Sequence, residues 1–109
     1  MGKAVYVVYS APSSPDQEAA YNEWYDRTHL GQVCEVPGVT GARRYHLQKD
    51  SAPLAVDGLP LYLALYDIDS DDPAECVAEI GRRAASGVIE MTSAIQLDPP
   101  PVTALYVAV

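Results

Sequence analysis

Two similar helix-start signals, each placed after a strand-like stretch, constrain the fold of this chain most. Residues 14–17 (SPDQ) and residues 72–75 (DPAE) each offer a capping side chain followed by proline at the first helical position. A glutamine or glutamate then stands at the third helical position, as in a capping box. Residues 3–9 and 61–68, which precede the two signals, are rich in Val, Tyr, Leu and Ile, the residues favoured in strands. The chain therefore repeats a strand-then-helix unit.

The remaining segments complete a β-α-β-β-α-β order. The first helix is predicted to end near Leu30 with Gly31 as its terminator, and the second near Ser86 with Gly87 as its stop. This order predicts an α+β, ferredoxin-like fold in one domain spanning residues 1–109, with a four-stranded antiparallel sheet and two helices on one face. The predicted strands are 3–9, 39–48, 61–68 and 102–109, with a helical turn at 32–36, a Pro37-Gly38 turn, a loop at 49–60 and an irregular stretch at 88–101.

The third predicted strand is apolar on both of its faces. Leu63 and Leu65 alternate with Ala64 and Tyr66, yet two helices cover only one face of the sheet. A large uncovered apolar face needs a partner, and the commonest arrangement in oligomers is two-fold symmetric. The sequence therefore predicts a homodimer in which two sheets meet face to face.

Composition excludes several classes of function. The 109 residues carry a formal net charge of −8, which argues against nucleic acid and anionic membranes as partners. No apolar run approaches the roughly 20 residues that a membrane span needs, so a cytoplasmic protein is predicted. The two cysteines, Cys34 and Cys76, have no metal-ligand spacing and are predicted to be free thiols. Glycine-rich nucleotide motifs and a serine-hydrolase elbow are also missing, and no metal site is predicted.

The most informative stretch for chemistry is 21–39. Within it, Trp24, Tyr25 and His29 lie at helical spacing with Tyr21, so their side chains are neighbours on one helix. His29 is placed near a predicted helix C-terminus, where its protonated form is favoured, and an ordinary pKa near 6.5 suits a general acid or base. The alternative is a partly buried histidine with a structural role, and spacing does not separate the two.

Tyrosine is over-represented, with eight Tyr and no Phe. Tyrosine combines apolar area with one hydrogen-bonding tip, which suits a pocket for an aromatic or partly polar small molecule. Tyr25, Tyr62 and Tyr66 are candidates to orient a base or hold a developing oxyanion, although tyrosine is also simply a good strand former. Of Arg43 and Arg44, which point to opposite faces of a strand, at most one faces such a pocket.

Three short motifs carry a resemblance to a known group. They are W-Y-x-x-T-H-L at 24–30, V-P-G-V at 36–39 and R-R-Y at 43–45, and together they resemble the dimeric α/β-barrel superfamily, in particular its EthD-like branch. The resemblance implies a homodimer whose sheets form a barrel, with a pocket between helices and sheet in each subunit. Relatives include cofactor-free monooxygenases, cyclases, isomerases, lyases, haem-degrading enzymes and members of unknown role, and His29 is the residue that carries over from them.

These observations favour a cofactor-independent enzyme acting on a small hydrophobic, aromatic or polyketide-like molecule. His29 is the predicted general base or acid and Tyr25 its partner, while the predicted ligand contacts are Tyr21, Trp24, Tyr62 and Tyr66. The reaction is of the lyase, cyclase, isomerase or cofactor-free oxygenase type. The competing prediction is a non-catalytic small-molecule-binding or accessory protein of a catabolic or biosynthetic pathway.

Overall fold

The computed structural model describes residues 3–48 and 59–109, and within them four strands form one antiparallel sheet. The order across the sheet is β2-β3-β1-β4. This is the arrangement that a β-α-β-β-α-β chain adopts in the ferredoxin-like fold, so the predicted fold is confirmed. Each predicted strand matches within two residues at either end; of the loop predicted at 49–60, only Leu59 and Pro60 lie among the described residues. The strands are β1 (Lys3–Ser10), β2 (Val39–His46), β3 (Tyr62–Asp69) and β4 (Val102–Val107).

The first helical segment is longer and less regular than predicted. It opens with a 3-10 turn, Pro15–Gln17, and continues as α1 (Glu18–Trp24), a π turn (Tyr25–His29) and α2 (Leu30–Cys34). The prediction that Gly31 ends the helix was wrong. A glycine in a helix costs only about 1 kcal/mol relative to alanine. Burial of two valines just downstream offsets that cost: both Val33 and Val36 are 1 % exposed.

The second helix, α3 (Pro73–Ser86), begins and ends as predicted. Asp72 caps it by accepting a hydrogen bond from the Glu75 amide at 3.1 Å, and Gly87 ends it with a φ of 84°, a conformation that favours glycine. Its apolar side, with Cys76 and Ile80, is buried against the sheet. Within residues 3–48 and 59–109, no helix is long and apolar enough to cross a membrane.

The two faces of the sheet have different surroundings. The helices cover the face that carries Tyr66 and Ile68, and the hydrophobic core lies between them. Val7 and Leu65, which pair in register, point to the other face. No described helix packs there, and apart from the Arg43–Asp67 ion pair the neighbouring side chains are apolar too. The strand register places the apolar side chains of this open face in three rows across the sheet. The first row is Tyr45, Leu63, Tyr9 and Val102, the second is Leu65, Val7 and Ala104, and the third is Val5 and Tyr106.

Candidate functional site

An aromatic cluster fills the space between the first helical segment and the sheet. Tyr21, Tyr25 and His29 follow one another at intervals of four residues, and each ring meets the next edge-on, at centroid distances of 5.2 and 5.1 Å. Tyr21 also contacts Tyr62 of β3 at 5.1 Å. The structure therefore brings all six predicted site residues into one connected set of rings: Tyr21, Trp24, Tyr25, His29, Tyr62 and Tyr66.

His29 stands at one end of this aromatic cluster. Its ring stacks on Trp24 at 4.3 Å and meets the edge of Tyr25 at 5.1 Å and of Tyr66 at 6.5 Å. The indole of Trp24 is itself fixed, because its Nε1 donates a hydrogen bond to the Glu90 carbonyl at 2.9 Å. The His29 Nδ1 atom is buried and has no hydrogen-bond partner among the described residues.

The electrostatic surroundings of His29 differ from the sequence-based expectation. Burial, together with the smaller effect of the positive charge of Arg44, lowers the pKa of His29 to about 4. The expectation of a favoured protonated form assumed a helix end at Gly31. Because the helix continues to Cys34, His29 lies inside it, in the π turn, where Leu30 N–H bonds to the Tyr25 carbonyl. His29 is therefore neutral near pH 7.

A pair of tyrosine hydroxyls meets a buried serine beside the cluster. Ser10, 5 % exposed at the end of β1, lies 2.6 Å from the Tyr21 hydroxyl and 3.4 Å from that of Tyr25. Burial raises the pKa of Tyr21 to about 12 and also raises that of Tyr25. Burial likewise raises the pKa of Tyr66, with the adjacent Tyr25 adding to the effect. No polar atom of the described residues meets the Tyr66 hydroxyl at hydrogen-bonding distance and angle. All three tyrosines are thus neutral hydroxyl groups near pH 7.

Arg44 is the cation at the centre of the site. Its guanidinium carbon lies 4.3 Å from the Tyr25 ring centroid, 5.1 Å from that of Tyr62 and 5.5 Å from that of Tyr21, within cation–π range. Arg43 instead points to the open face and pairs with Asp67 at 3.1 Å, at an exposed position. The expectation that at most one of the two arginines faces the pocket is confirmed.

Arg44 begins a chain of hydrogen bonds that ends at a carboxylate. It donates to Asp26 and to the Asn22 Oδ1 atom, both at 2.8 Å. The Asn22 amide group donates onward to the Tyr62 hydroxyl at 3.1 Å, and this hydroxyl donates to Glu18 Oε2 at 2.6 Å. The three hydrogen bonds from Arg44 through Asn22 and Tyr62 to Glu18 thus all run in one direction, each group donating to the next.

An open groove lies beside Glu18, at one end of the sheet. It encloses about 1000 Å³ where β1 and β2 end and where β3 and β4 begin. We call it the strand-end groove. A smaller, shallower groove of about 470 Å³ runs between the outer side of the π turn and Glu90. His29 lines neither of them, whereas Ser10, Glu18 and Tyr62 line the strand-end groove.

Four residues of this site were not predicted from the sequence. They are Ser10, Glu18, Asn22 and, as an individual residue, Arg44. A signal for part of the set exists: Glu18, Asn22 and Asp26 are spaced by four residues, so they form a polar row along the helix beside the aromatic row. Ser10 pairs with Tyr62 in the sheet register, which sequence alone does not reveal.

The described residues offer no grouped set of metal ligands. Within 3–48 and 59–109, no three His, Cys, Asp or Glu side chains are arranged to hold a metal ion. Cys34 and Cys76 are free thiols, as predicted. The Cys76 thiol donates to the Pro37 carbonyl at 3.4 Å, beneath the turn where Gly38 has a φ of 98°.

The antiparallel sheet, with its strand order β2-β3-β1-β4 and helices on one face, defines an α+β protein of the ferredoxin-like kind. Solved structures share this fold. An ethyl tert-butyl ether D (EthD) family protein from Bacillus halodurans superposes with a TM-score of 0.56 at 14% identity, covering 96% of each chain. A dimeric ferredoxin-like protein of unknown function from Thermobifida fusca superposes with a TM-score of 0.53 at 12% identity, covering 98% of this chain and 92% of its own. No protein-family model and no curated protein matches the sequence. The resemblance to the EthD-like group is confirmed at the level of the fold.

Proposed function

We propose that this protein is a homodimeric, cytoplasmic enzyme that binds a small aromatic or polyketide-like molecule and transfers a proton on it without a cofactor. His29 is the general acid or base, and Tyr25 is its partner. Tyr21, Trp24, Tyr62 and Tyr66 contact the ligand. The observation that carries the proposal is the buried Nδ1 atom of His29, which has no hydrogen-bond partner among the described residues. The same aromatic cluster holds the Tyr66 hydroxyl, for which those residues offer no partner in hydrogen-bonding geometry.

Unpartnered polar atoms of this kind support a ligand site. A buried polar group without a hydrogen bond costs about 1–3 kcal/mol, so native proteins rarely leave one without a reason. Here the Arg44 Nε atom is a third such group on the same cluster. A ligand oxygen bound among them gains hydrogen bonds that the protein alone does not supply.

The lowered pKa of His29 fixes the form in which it enters the reaction. Above pH 4 the imidazole is unprotonated, so it accepts a proton without first losing one. For each unit by which the pKa of His29 lies below the operating pH, protonation of the imidazole costs about 1.4 kcal/mol. The Tyr25 hydroxyl, whose pKa burial raises, stays protonated and donates a hydrogen bond to the oxygen on which negative charge develops.

The open face of the sheet supports the homodimer. Tyr106 and Val102, both 60 % exposed, and Tyr45, 50 % exposed, lie on it beside Val5 and Leu65. A contiguous apolar surface of this kind on a small domain marks an interaction site. The Thermobifida fusca protein of the same fold is itself dimeric, which favours self-association of this chain too.

A second candidate is a non-catalytic small-molecule-binding protein. The enclosure of His29 favours it, because one ring face is covered by Trp24 and neither groove is lined by the imidazole. In that case His29 serves packing, and the ligand occupies a site without being converted.

Replacement of His29 separates these functions. His29→Ala is expected to lower turnover at least a hundredfold, in line with the typical contribution of a positioned base, while fold and dimer persist. The assay follows conversion of a panel of phenols, hydroquinones and polyketide lactones by liquid chromatography with mass detection. Glu23→Ala, at an exposed position of the same helical segment and outside both grooves, is the control. If His29→Ala converts a substrate as fast as the wild type does, His29 is not the base. Conversion of no panel member by the wild type favours the binding protein.

A further inference from the structure

The strand-end groove has apolar walls and a polar floor. Its walls come from the loop that leads into the first helix, from the start of β3 and from the stretch that precedes β4. The loop and the stretch are tied together, because Ser13 N–H donates to the Ala94 carbonyl at 2.6 Å and Gln96 N–H to the Ala11 carbonyl at 2.8 Å. The apolar wall residues are Pro12, Pro15, Leu47, Leu59, Leu61 and Pro99.

The floor is formed by side chains that other contacts hold in place. Ser10 is buried against Tyr21, and Tyr62 is fixed between Asn22 and Glu18. A groove with predominantly apolar walls and a few fixed polar groups at its base is the usual form of a small-molecule site. The groove is therefore suited to an apolar body with one polar end.

The direction of the hydrogen-bond chain decides which polar end fits. Arg44 has only donors, so the Asn22 Oδ1 atom must accept from it, and the Asn22 amide nitrogen must face Tyr62 and donate. The Tyr62 hydroxyl accepts that bond and donates its own hydrogen bond to Glu18 Oε2. Glu18, as the last group of the chain, has only acceptor positions left for a ligand when it is ionised.

We propose that the strand-end groove binds an apolar small molecule through a hydroxyl group that donates a hydrogen bond to the Glu18 carboxylate. A ligand carboxylate or phosphate is disfavoured, because it would place a second anion against Glu18 in a chain of net charge −8. The ligand is a neutral phenol or alcohol. This inference rests on the proposed function for the class of ligand only, since binding in the groove is measurable without turnover.

Three probes with the same aromatic body test the proposal: 1-naphthol, 1-methoxynaphthalene and 1-naphthoate. The first carries a donor, the second carries none and the third is an anion. Wild-type protein is expected to bind 1-naphthol most tightly in calorimetric titration. In ¹H–¹⁵N correlation spectra, the amides of Ser10, Glu18 and Tyr62 are expected to shift most.

Removal of the acceptor sharpens the test. Glu18→Ala is expected to weaken 1-naphthol binding roughly tenfold, as for loss of a hydrogen bond to a charged group, and to leave 1-methoxynaphthalene binding unchanged. Glu23→Ala, an exposed glutamate on the same helix and outside the groove, is the control and is expected to bind as the wild type does.

Three results would overturn the inference: equal affinity of Glu18→Ala and wild type for 1-naphthol, tightest binding of 1-naphthoate, or amide shifts concentrated around Trp24 and His29. Failure of the proposed function gives a different outcome. Binding in the groove together with no conversion by the wild type leaves the groove assignment intact and removes the catalytic role of His29.

Discussion

The two ends of the first helical segment differ in what surrounds their polar groups. At the His29 end, the imidazole is enclosed by aromatic rings and burial lowers its pKa to about 4. At the Glu18 end, the carboxylate and the Tyr62 hydroxyl face an open groove of about 1000 Å³. The His29 imidazole thus lies apart from the strand-end groove, which it does not line. The proposed base and the proposed binding surface therefore lie about three turns apart on one helical segment.

Arg44 and Tyr21 join the two ends. Arg44 stacks on Tyr25 towards His29 and on Tyr62 towards Glu18, and Tyr21 contacts both of these tyrosines. A ligand in the groove therefore contacts the Tyr62 ring that Arg44 and Tyr21 already hold. The difference between the ends therefore allows mutations to test the proposed binding and the proposed proton transfer separately.

The largest expected effect is on stability at the packed end. Tyr25 is 1 % exposed, so Tyr25→Ala leaves a cavity and is expected to lower the free energy of unfolding by about 3–5 kcal/mol. Tyr62→Ala, at the half-buried floor of the groove, is expected to cost less than half as much. Urea denaturation followed by circular dichroism measures both. Equal losses would mean that the two ends are packed alike.

Replacement of Arg44 is expected to give the next largest effect on stability. Arg44→Ala removes a guanidinium whose side chain is 12 % exposed and is expected to cost about 2–3 kcal/mol, less than the loss of a fully buried pair because Asp26 is 61 % exposed. Arg43→Ala, at a side chain 50 % exposed, is the matched control and is expected to cost under about 0.5 kcal/mol. Urea denaturation measures the loss of unfolding free energy in both variants. A similar loss for both arginines would contradict the central role of Arg44.

The smallest expected effect is on the pH dependence of stability. The pKa of His29 is about 4 when folded and 6.5 in its ordinary state, so the unfolded chain binds more protons between these values. Stability from this group is therefore complete above pH 6.5 and is lost as pH falls towards 4, with about 2 kcal/mol lost between pH 7 and pH 5.

A variant without the imidazole isolates this contribution from those of the carboxylates. His29→Phe is expected to lose about 2 kcal/mol less than the wild type between pH 7 and pH 5, measured as free energies of unfolding in urea. An unchanged difference between the two pH values in His29→Phe would show that the His29 ring is not desolvated in the folded protein.

Local patterns were enough to predict the fold. The capping residues Asp72 and Gly87 fix both ends of α3, and alternation on β2 separates Arg43 from Arg44. The helix end at Gly31 was wrong because packing of Val33 and Val36 outweighs the weak helix preference of one glycine. The lowered pKa of His29 likewise comes from burial in the tertiary structure, which is not encoded in a local pattern.

The candidate site was predictable only where it repeats along one helix. Tyr21, Tyr25 and His29 share a four-residue spacing, so their proximity follows from the sequence. Ser10 and Arg44 reach the same place through strand register. That register depends on β1 and β2 each pairing with β3, across chain separations that sequence reasoning does not resolve.

Native mass spectrometry of the freshly purified protein tests the central claim most directly. The account predicts a mass of two 11.7 kDa chains that retain a small apolar molecule. Tyr106→Glu, on the open face, is expected to give monomers, whereas Val88→Glu, equally exposed but outside the sheet, is expected to stay dimeric. A wild-type protein that is monomeric and free of ligand at micromolar concentration would contradict both the face-to-face dimer and the small-molecule site.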